Sequence, residues 1–302
     1  MTWVYAIPSW IFAPVAIAVF TALSVAGLLC VRRYAKPAQI THNDVAGPLI
    51  ATAGTVMAVL LSFVVVVVWQ EYDASAANVQ REASAIADLH RIADGLPAPL
   101  AESVRRDCDR YADAVVAEEW PAMRHGGRSR AARDLADRIE REIVAYAPQT
   151  SRAAAIQTQA LELIRTLADS RRKRLFDNDQ GIPPQMWAAM LIVAAITVGF
   201  TYLFGVDSFS AHVLMTGGLA IVLATIMVLI ALLDYPFRGD VSIGPQAFVR
   251  DQAMMPTARA KTTAMVTNDV SASASISIFA GRVIGNVSAG LNASAFVNAM
   301  KR

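Results

Sequence analysis

The chain is poor in charged residues, which make up only 17% of its 302 residues. A soluble domain carries about 25%. The deficit is uneven, because four long blocks contain no Asp, Glu, Lys or Arg at all: residues 7–31, 45–69, 185–205 and 211–233. Apolar blocks of about 18 or more residues are typical of helices that cross a bilayer. The sequence therefore predicts four transmembrane helices.

Other scarcities argue against whole classes of function. The two cysteines, Cys30 and Cys108, have no metal-binding spacing and predict no disulfide. The four histidines are scattered, so we expect no metal site, no cofactor and no catalytic residue. Glu118 and Glu119 lack the Glu-x-x-His partner of di-iron bundles, and we expect Trp120 beside them to pack on a neighbouring helix. The 27 basic and 25 acidic residues nearly cancel, and no basic patch with interleaved aromatics predicts nucleic-acid binding. An enzymatic function is not expected.

Residues 70–184, between the second and third blocks, are charged and keep helical spacing. Val79, Ile86, Leu89 and Ala93 continue the helix of the second block, which we expect to end near Gly95. Three further amphipathic segments follow with short connections, which favours an antiparallel helical bundle without strands. The predicted fold class is an all-α integral membrane protein with four transmembrane helices and a helical-bundle insertion between the second and third.

The last part of the chain, residues 234–302, has a different composition. We expect a short extended segment at residues 241–248. From residue 250 onward, Ala, Ser, Thr, Asn and Gly dominate, which favours a low-complexity tail with loose packing or disorder. Residues 271–279 alternate with period two, a weak strand signal.

The basic residues near the block ends bear on orientation. With four spans, the side that holds the central domain carries eight Lys and Arg near span ends, against three on the other side. This excess predicts a cytoplasmic central domain in the cell (inner or plasma) membrane, with the lipid bilayer as partner. The three residues, Arg32, Arg33 and Lys36, flank the first span and favour the opposite orientation, because the first span usually dominates.

Short motifs along the chain point to a known family. They are His42-Asn43-Asp44-Val45-Ala46-Gly47, Leu60-Leu61-Ser62-Phe63, Trp69-Gln70-Glu71-Tyr72, Arg81-Glu82-Ala83, Leu89-His90-Arg91-Ile92-Ala93, Tyr111-Ala112-Asp113-Ala114-Val115-Val116, Glu119-Trp120-Pro121 and Asp234-Tyr235-Pro236-Phe237-Arg238-Gly239. Their order and spacing resemble the bestrophin-like membrane domain, a family of bacterial and plant proteins of unknown function, over about residues 38–248. The resemblance implies four spans with a helical insertion. The family's name points to bestrophins, oligomeric anion channels with four spans and cytosolic helices, so ion transport follows only by analogy of fold. A bestrophin-type calcium clasp is not expected, since the tail has only Asp251 and Asp269 as acidic residues.

Two acidic residues and one basic run are candidate contact sites. Glu71 and Glu82 stand eleven positions apart, close to one face of a helix, and are candidate ion contacts at a pore mouth or in the domain. The alternative is that they pair with Arg81 or the basic run, or are solvated. The run consists of Arg171, Arg172, Lys173 and Arg174. It is a candidate for lipid headgroup contacts, or else a solvated helix face that sets orientation.

The second block also carries a small-residue pair, Gly54 and Ala58, at helical spacing. Such pairs let helix backbones approach closely in lipid, so both are candidate helix-packing residues, at a contact between subunits. We expect a homo-oligomer, functioning as a passive channel for small inorganic ions with the second span lining the axis. The alternative is a non-conducting membrane scaffold or sensor whose central domain binds a partner.

Overall fold

The computed structural model describes residue 5 and residues 7–34, 43–204, 206 and 208–254. In this part of the chain every regular element is a helix, and no strand occurs. The α-helices are α1 Ser9–Tyr34, α2 Asn43–Ile92, α3 Ala98–Ala114, α4 Trp120–Arg124, α5 Ala131–Ala145, α6 Ser151–Asp179, α7 Pro184–Thr201, α8 Phe209–Leu233 and α9 Gln246–Met254. The fold below is that of one compact unit, Met1–Gln252. The weak strand signal at residues 271–279 lies outside the described residues.

Four of these helices, α1, α2, α7 and α8, are long and apolar enough to cross a membrane. α1 packs along α8, and the first half of α2 packs against α7 and α8. Met57 and Leu61 of α2 meet Met190 and Ala194 of α7 and Ile230 of α8 in a common core. Because these positions recur at three- and four-residue intervals, each helix buries one stripe against its neighbours.

Helix α2 is 50 residues long and joins the apolar half of the fold to the polar half. At 1.5 Å per residue it extends about 75 Å. Its second half packs on α6 and α3, and Val79, Ile86, Leu89 and Ala93 are all buried there. As predicted, the helix continues to the region of Gly95, where a short 3₁₀ turn ends it.

Every regular element of the polar domain, residues 70–184, is a helix, as its apolar spacing predicted. α3 packs on α5, and α5 packs on α6. The start of α6 is capped by Thr150, whose Oγ1 accepts a hydrogen bond from the Ala153 N–H at 3.1 Å. A π-helical turn, Val115–Glu119, joins α3 to α4 without interrupting the helical path.

The segment expected to be extended, residues 241–248, is different in the structure. α9 begins inside it at Gln246, and the N–H groups of Phe248 and Val249 bond to the Pro245 carbonyl. A proline just before the first turn favours this start, because its fixed φ suits a helix and its missing N–H is not needed there. Phe248 is fully buried.

Candidate functional site: a buried ion-pair network and the segment that covers it

Arg174 of α6 lies at the centre of the polar domain with no exposed surface. Its Nε donates to Glu82 Oε2 at 2.7 Å, and its Nη2 donates to Glu82 Oε1 at 2.8 Å and to Glu119 Oε2 at 2.7 Å. Burial opposes the charge of Arg174, but the carboxylates, Glu82 above all, raise the pKa of this guanidinium above its ordinary value. One guanidinium therefore ties α2, α6 and the π-helical turn together.

A second arginine balances the charge of this network. Arg171, one turn earlier on α6, donates from Nε to Glu119 Oε2 at 3.2 Å and from Nη2 to the Ser129 carbonyl at 3.1 Å. Tyr111 of α3 donates its hydroxyl to Glu82 Oε1 at 2.7 Å. Burial and the neighbouring carboxylate raise the pKa of Tyr111 well above its ordinary value, so this hydroxyl remains a donor. Two carboxylates thus meet two guanidinium groups, and the buried charge sums to zero.

Trp120, next to Glu119, links the network to the chain that follows α8. The Arg174 guanidinium lies 4.9 Å from the centre of its indole ring, a cation–π contact. The ring packs edge-on against Phe237 and Phe248, and its Nε1 donates to the Ile243 carbonyl at 3.1 Å. Trp120 therefore packs on neighbouring residues, as expected. These neighbours belong to the part of the chain that follows α8.

Residues 234–239, between α8 and α9, hold the ends of α6 and α8 together. The Asp234 carboxylate accepts hydrogen bonds from the Ile182 N–H and the Trp187 indole, while burial raises the pKa of this carboxyl. Arg238 donates to the Asn178 carbonyl at 2.7 Å. A Cβ placed on Gly181 would come within 2.6 Å of the Tyr235 ring, so only glycine permits this close approach. This segment therefore connects the end of α8 to the polar domain by hydrogen bonds and close packing.

The comparisons with known proteins assign the family. The family model described as the bestrophin-like domain matches residues 18–248. The chain belongs to the bestrophin-like family. The match confirms the resemblance seen in the motifs, and it covers every residue of the buried ion-pair network and of residues 234–239. No curated protein and no solved structure matched the chain.

The predicted contact residues of this bestrophin-like chain fall into different environments. Glu82 is buried against Arg174, so it does not face solvent as a pore-mouth residue would; the alternative, pairing with the basic run, is what the structure shows. Glu71 is exposed and lines a cavity beside α2. Gly54 has no atom of another helix within 4 Å of a built Cβ, and Ala58 is exposed, so neither packs on another helix of the described chain.

The basic run divides in the same way. Arg171 and Arg174 are not available to lipid, because both are buried and form ion pairs with carboxylates inside the domain. Arg172 is exposed beside Asp169, and Lys173 is partly exposed beside Asp177. Contact with lipid headgroups stays a prediction for these two residues.

Sequence reasoning missed two features. No sequence pattern places Glu119 and Tyr111 in one network, although both lie in motifs of the bestrophin-like resemblance. His212, near the start of α8, is 3% exposed; its Nε2 lies 2.8 Å from the Thr201 carbonyl, and its Nδ1 has no hydrogen-bond partner among the described residues. No group of three His, Cys, Asp or Glu side chains that could hold a metal occurs in the described part of the chain.

Proposed function

We propose that this chain is a four-span protein of the cell membrane that assembles as a homo-oligomer and conducts small ions passively. In this arrangement α1, α2, α7 and α8 cross the bilayer, and the polar helical domain is inserted between the second and third spans. The first half of α2 from each subunit lines the central axis of the oligomer. Membership of the bestrophin-like family supports the proposal.

The observation that carries it is an uncovered face of α2. Met57, Leu61, Val64 and Val68 are buried against α7 and α8. The opposite positions are exposed over six turns of the same helix: Thr52, Thr55, Val59, Ser62, Phe63, Val66, Gln70 and Asp73. Small residues and hydroxyls among the valines suit close contact between helices or a water-filled path better than contact with lipid alone.

The composition of this face suggests how conduction would be controlled. Phe63 is 69% exposed and Val66 is 51% exposed, one turn apart on the uncovered side. Repeated around an axis, they would form an apolar constriction, which can gate an ion path by dewetting. The four predicted spans contain no Asp, Glu, Lys or Arg, which argues for passive conduction over a proton-coupled transporter.

The orientation we propose places the polar domain in the cytoplasm. The excess of Lys and Arg near the span ends on that side supports it. Arg172 and Lys173 then lie where they can approach anionic headgroups of the inner leaflet. In this proposal the domain has a structural task.

Ion flux from liposomes tests the proposal. The purified protein in sealed vesicles should release several anions or cations faster than empty vesicles do. Phe63→Ala should increase the flux at least severalfold, because it widens the constriction. Leu214→Ala, at a residue 76% exposed on α8, is the matched control and should leave the flux unchanged. If no ion tested crosses faster than in empty vesicles, conduction is refuted, and the scaffold or sensor function remains; a monomer in detergent would equally oppose a shared axis.

A further inference from the structure

A cavity of about 330 Å³ lies where the apolar half of α2 passes into the polar domain. Its walls come from α2, from the end of α6 and residues 180–183, from the start of α7 and from the end of α8. Three separate parts of the chain therefore form it, and neither the ion-pair network nor the uncovered face of α2 includes it.

Carboxylates line the cavity, and none of the described residues that line it is Lys or Arg. Asp177 is neutralised by Lys173, whose Nζ lies 3.1 Å from both of its carboxylate oxygens, and it accepts a hydrogen bond from Ser75. Glu71 and Asp234 have no ion-pair partner among the described residues. Asp234 is held in place by the Ile182 N–H and the Trp187 indole. Two carboxylates without an ion-pair partner in the described chain, beside a partly buried space, favour a cation there.

Apart from Ser75 and Gln180, the rest of the lining is apolar. Val64, Val67 and Val68 of α2, Met186 of α7 and Leu233 of α8 face the same space. A hydrated inorganic ion gains nothing from such a wall, and the carboxylates of the described chain form no metal-binding group. A ligand that suits both the carboxylates and the apolar wall of the cavity carries a positively charged head and an alkyl group.

We propose that this cavity binds an organic ammonium ion that carries an alkyl group, with the ammonium head between Glu71 and Asp234 and the alkyl group against the valines of α2. The site does not depend on ion conduction. A free alkylammonium ion and the amine head of a membrane lipid share this chemistry.

Calorimetric titration of the full chain in a maltoside detergent tests the site, with empty micelles as the reference. Hexyltrimethylammonium should bind saturably, whereas hexanesulfonate, with the same alkyl chain and the opposite charge, should not. Tetramethylammonium should bind at least tenfold more weakly, because it lacks the methylenes that the apolar wall would bury. Equal binding of the sulfonate, or no saturable heat from the hexyl cation, would overturn the proposal.

Two isosteric variants locate the site. Glu71→Gln should weaken hexyltrimethylammonium binding about fivefold, as expected for the loss of one charge contact at a partly exposed position. Asp73→Asn is the matched control, because Asp73 is exposed on the same helix and does not line the cavity; it should leave the affinity unchanged. Equal affinities of both variants would place the cation elsewhere. Adding phosphatidylethanolamine distinguishes the sources: competition assigns the site to a lipid amine, and unchanged affinity assigns it to a soluble ion.

Discussion

Replacement of Arg174 by methionine is the sharpest test of the buried network. The methionine side chain fills most of the space but leaves two carboxylates with one guanidinium group. Glu119 keeps Arg171, whereas Glu82 keeps only the Tyr111 hydroxyl, so the uncompensated charge falls on Glu82. Removal of one partner from a buried ion pair costs about 3–5 kcal/mol. For a chain of 302 residues, that corresponds to a drop of roughly 5–8 °C in the melting temperature.

The neighbouring residue supplies the matched control. Arg172 is exposed, and its one ion-pair partner among the described residues is the exposed Asp169, so Arg172→Met should change the free energy of unfolding by less than about 1 kcal/mol. Thermal unfolding in detergent, followed by size-exclusion chromatography of the remaining folded protein, compares the two variants. Adding Glu82→Gln to Arg174→Met removes the unpaired charge and should recover much of the lost stability. Equal melting temperatures for the Arg174→Met and Arg172→Met variants would refute the reasoning.

Three further variants test packing, assembly and orientation. Gly54→Leu should abolish the oligomer while the monomer still inserts, as measured by light scattering in detergent. Gly218→Leu is the control, because Gly218 on α8 also has no neighbouring atom within 4 Å of a built Cβ, and this variant should assemble normally. An intact Gly54→Leu oligomer would exclude this face of α2 from subunit contact. Phe237→Ala removes a side chain 1% exposed and should cost about 3–5 kcal/mol of stability, so an unchanged melting temperature would contradict its role in joining the domain to α8. Arg124→Cys, exposed in the polar domain, should resist an impermeant maleimide in intact cells; rapid labelling would show that the domain faces outward.

The elements could be predicted because periodicity and hydropathy are local properties. Val104, Cys108, Tyr111 and Val115 stand at steps of three and four in the sequence, and all four are fully buried in the structure. The length of α2 followed from the same spacing. The start of α9 did not, because the segment that contains it is too short for a helical period to be visible.

The environment of the basic run was harder to predict. Four consecutive cations suggest one patch, but adjacent residues on a helix point about 100° apart. Arg171 and Arg174 are three positions apart and share a face with buried Ile164 and Leu167, so they turn inward, while Arg172 and Lys173 turn outward. The carboxylates that receive the two inward arginines lie 52 to 92 positions away along the chain. No local pattern identifies partners at that distance.

The unbroken course of α2 fixes the rotational phase between the two halves of the molecule. One extra residue near Gln70 would turn everything after it by about 100° and advance it by about 1.5 Å. Glu82 would then point away from Arg174 while Leu61 still faced α7. The contacts of the apolar half and those of the polar half could therefore not both form. Seven inserted residues make nearly two whole turns and would restore the angle to within about 20°, at the cost of an axial shift of about 10 Å. Length changes between the apolar and polar halves of this helix are therefore far more damaging than equal changes in the loop around residues 125–130, which is not part of a helix that runs unbroken between the two halves.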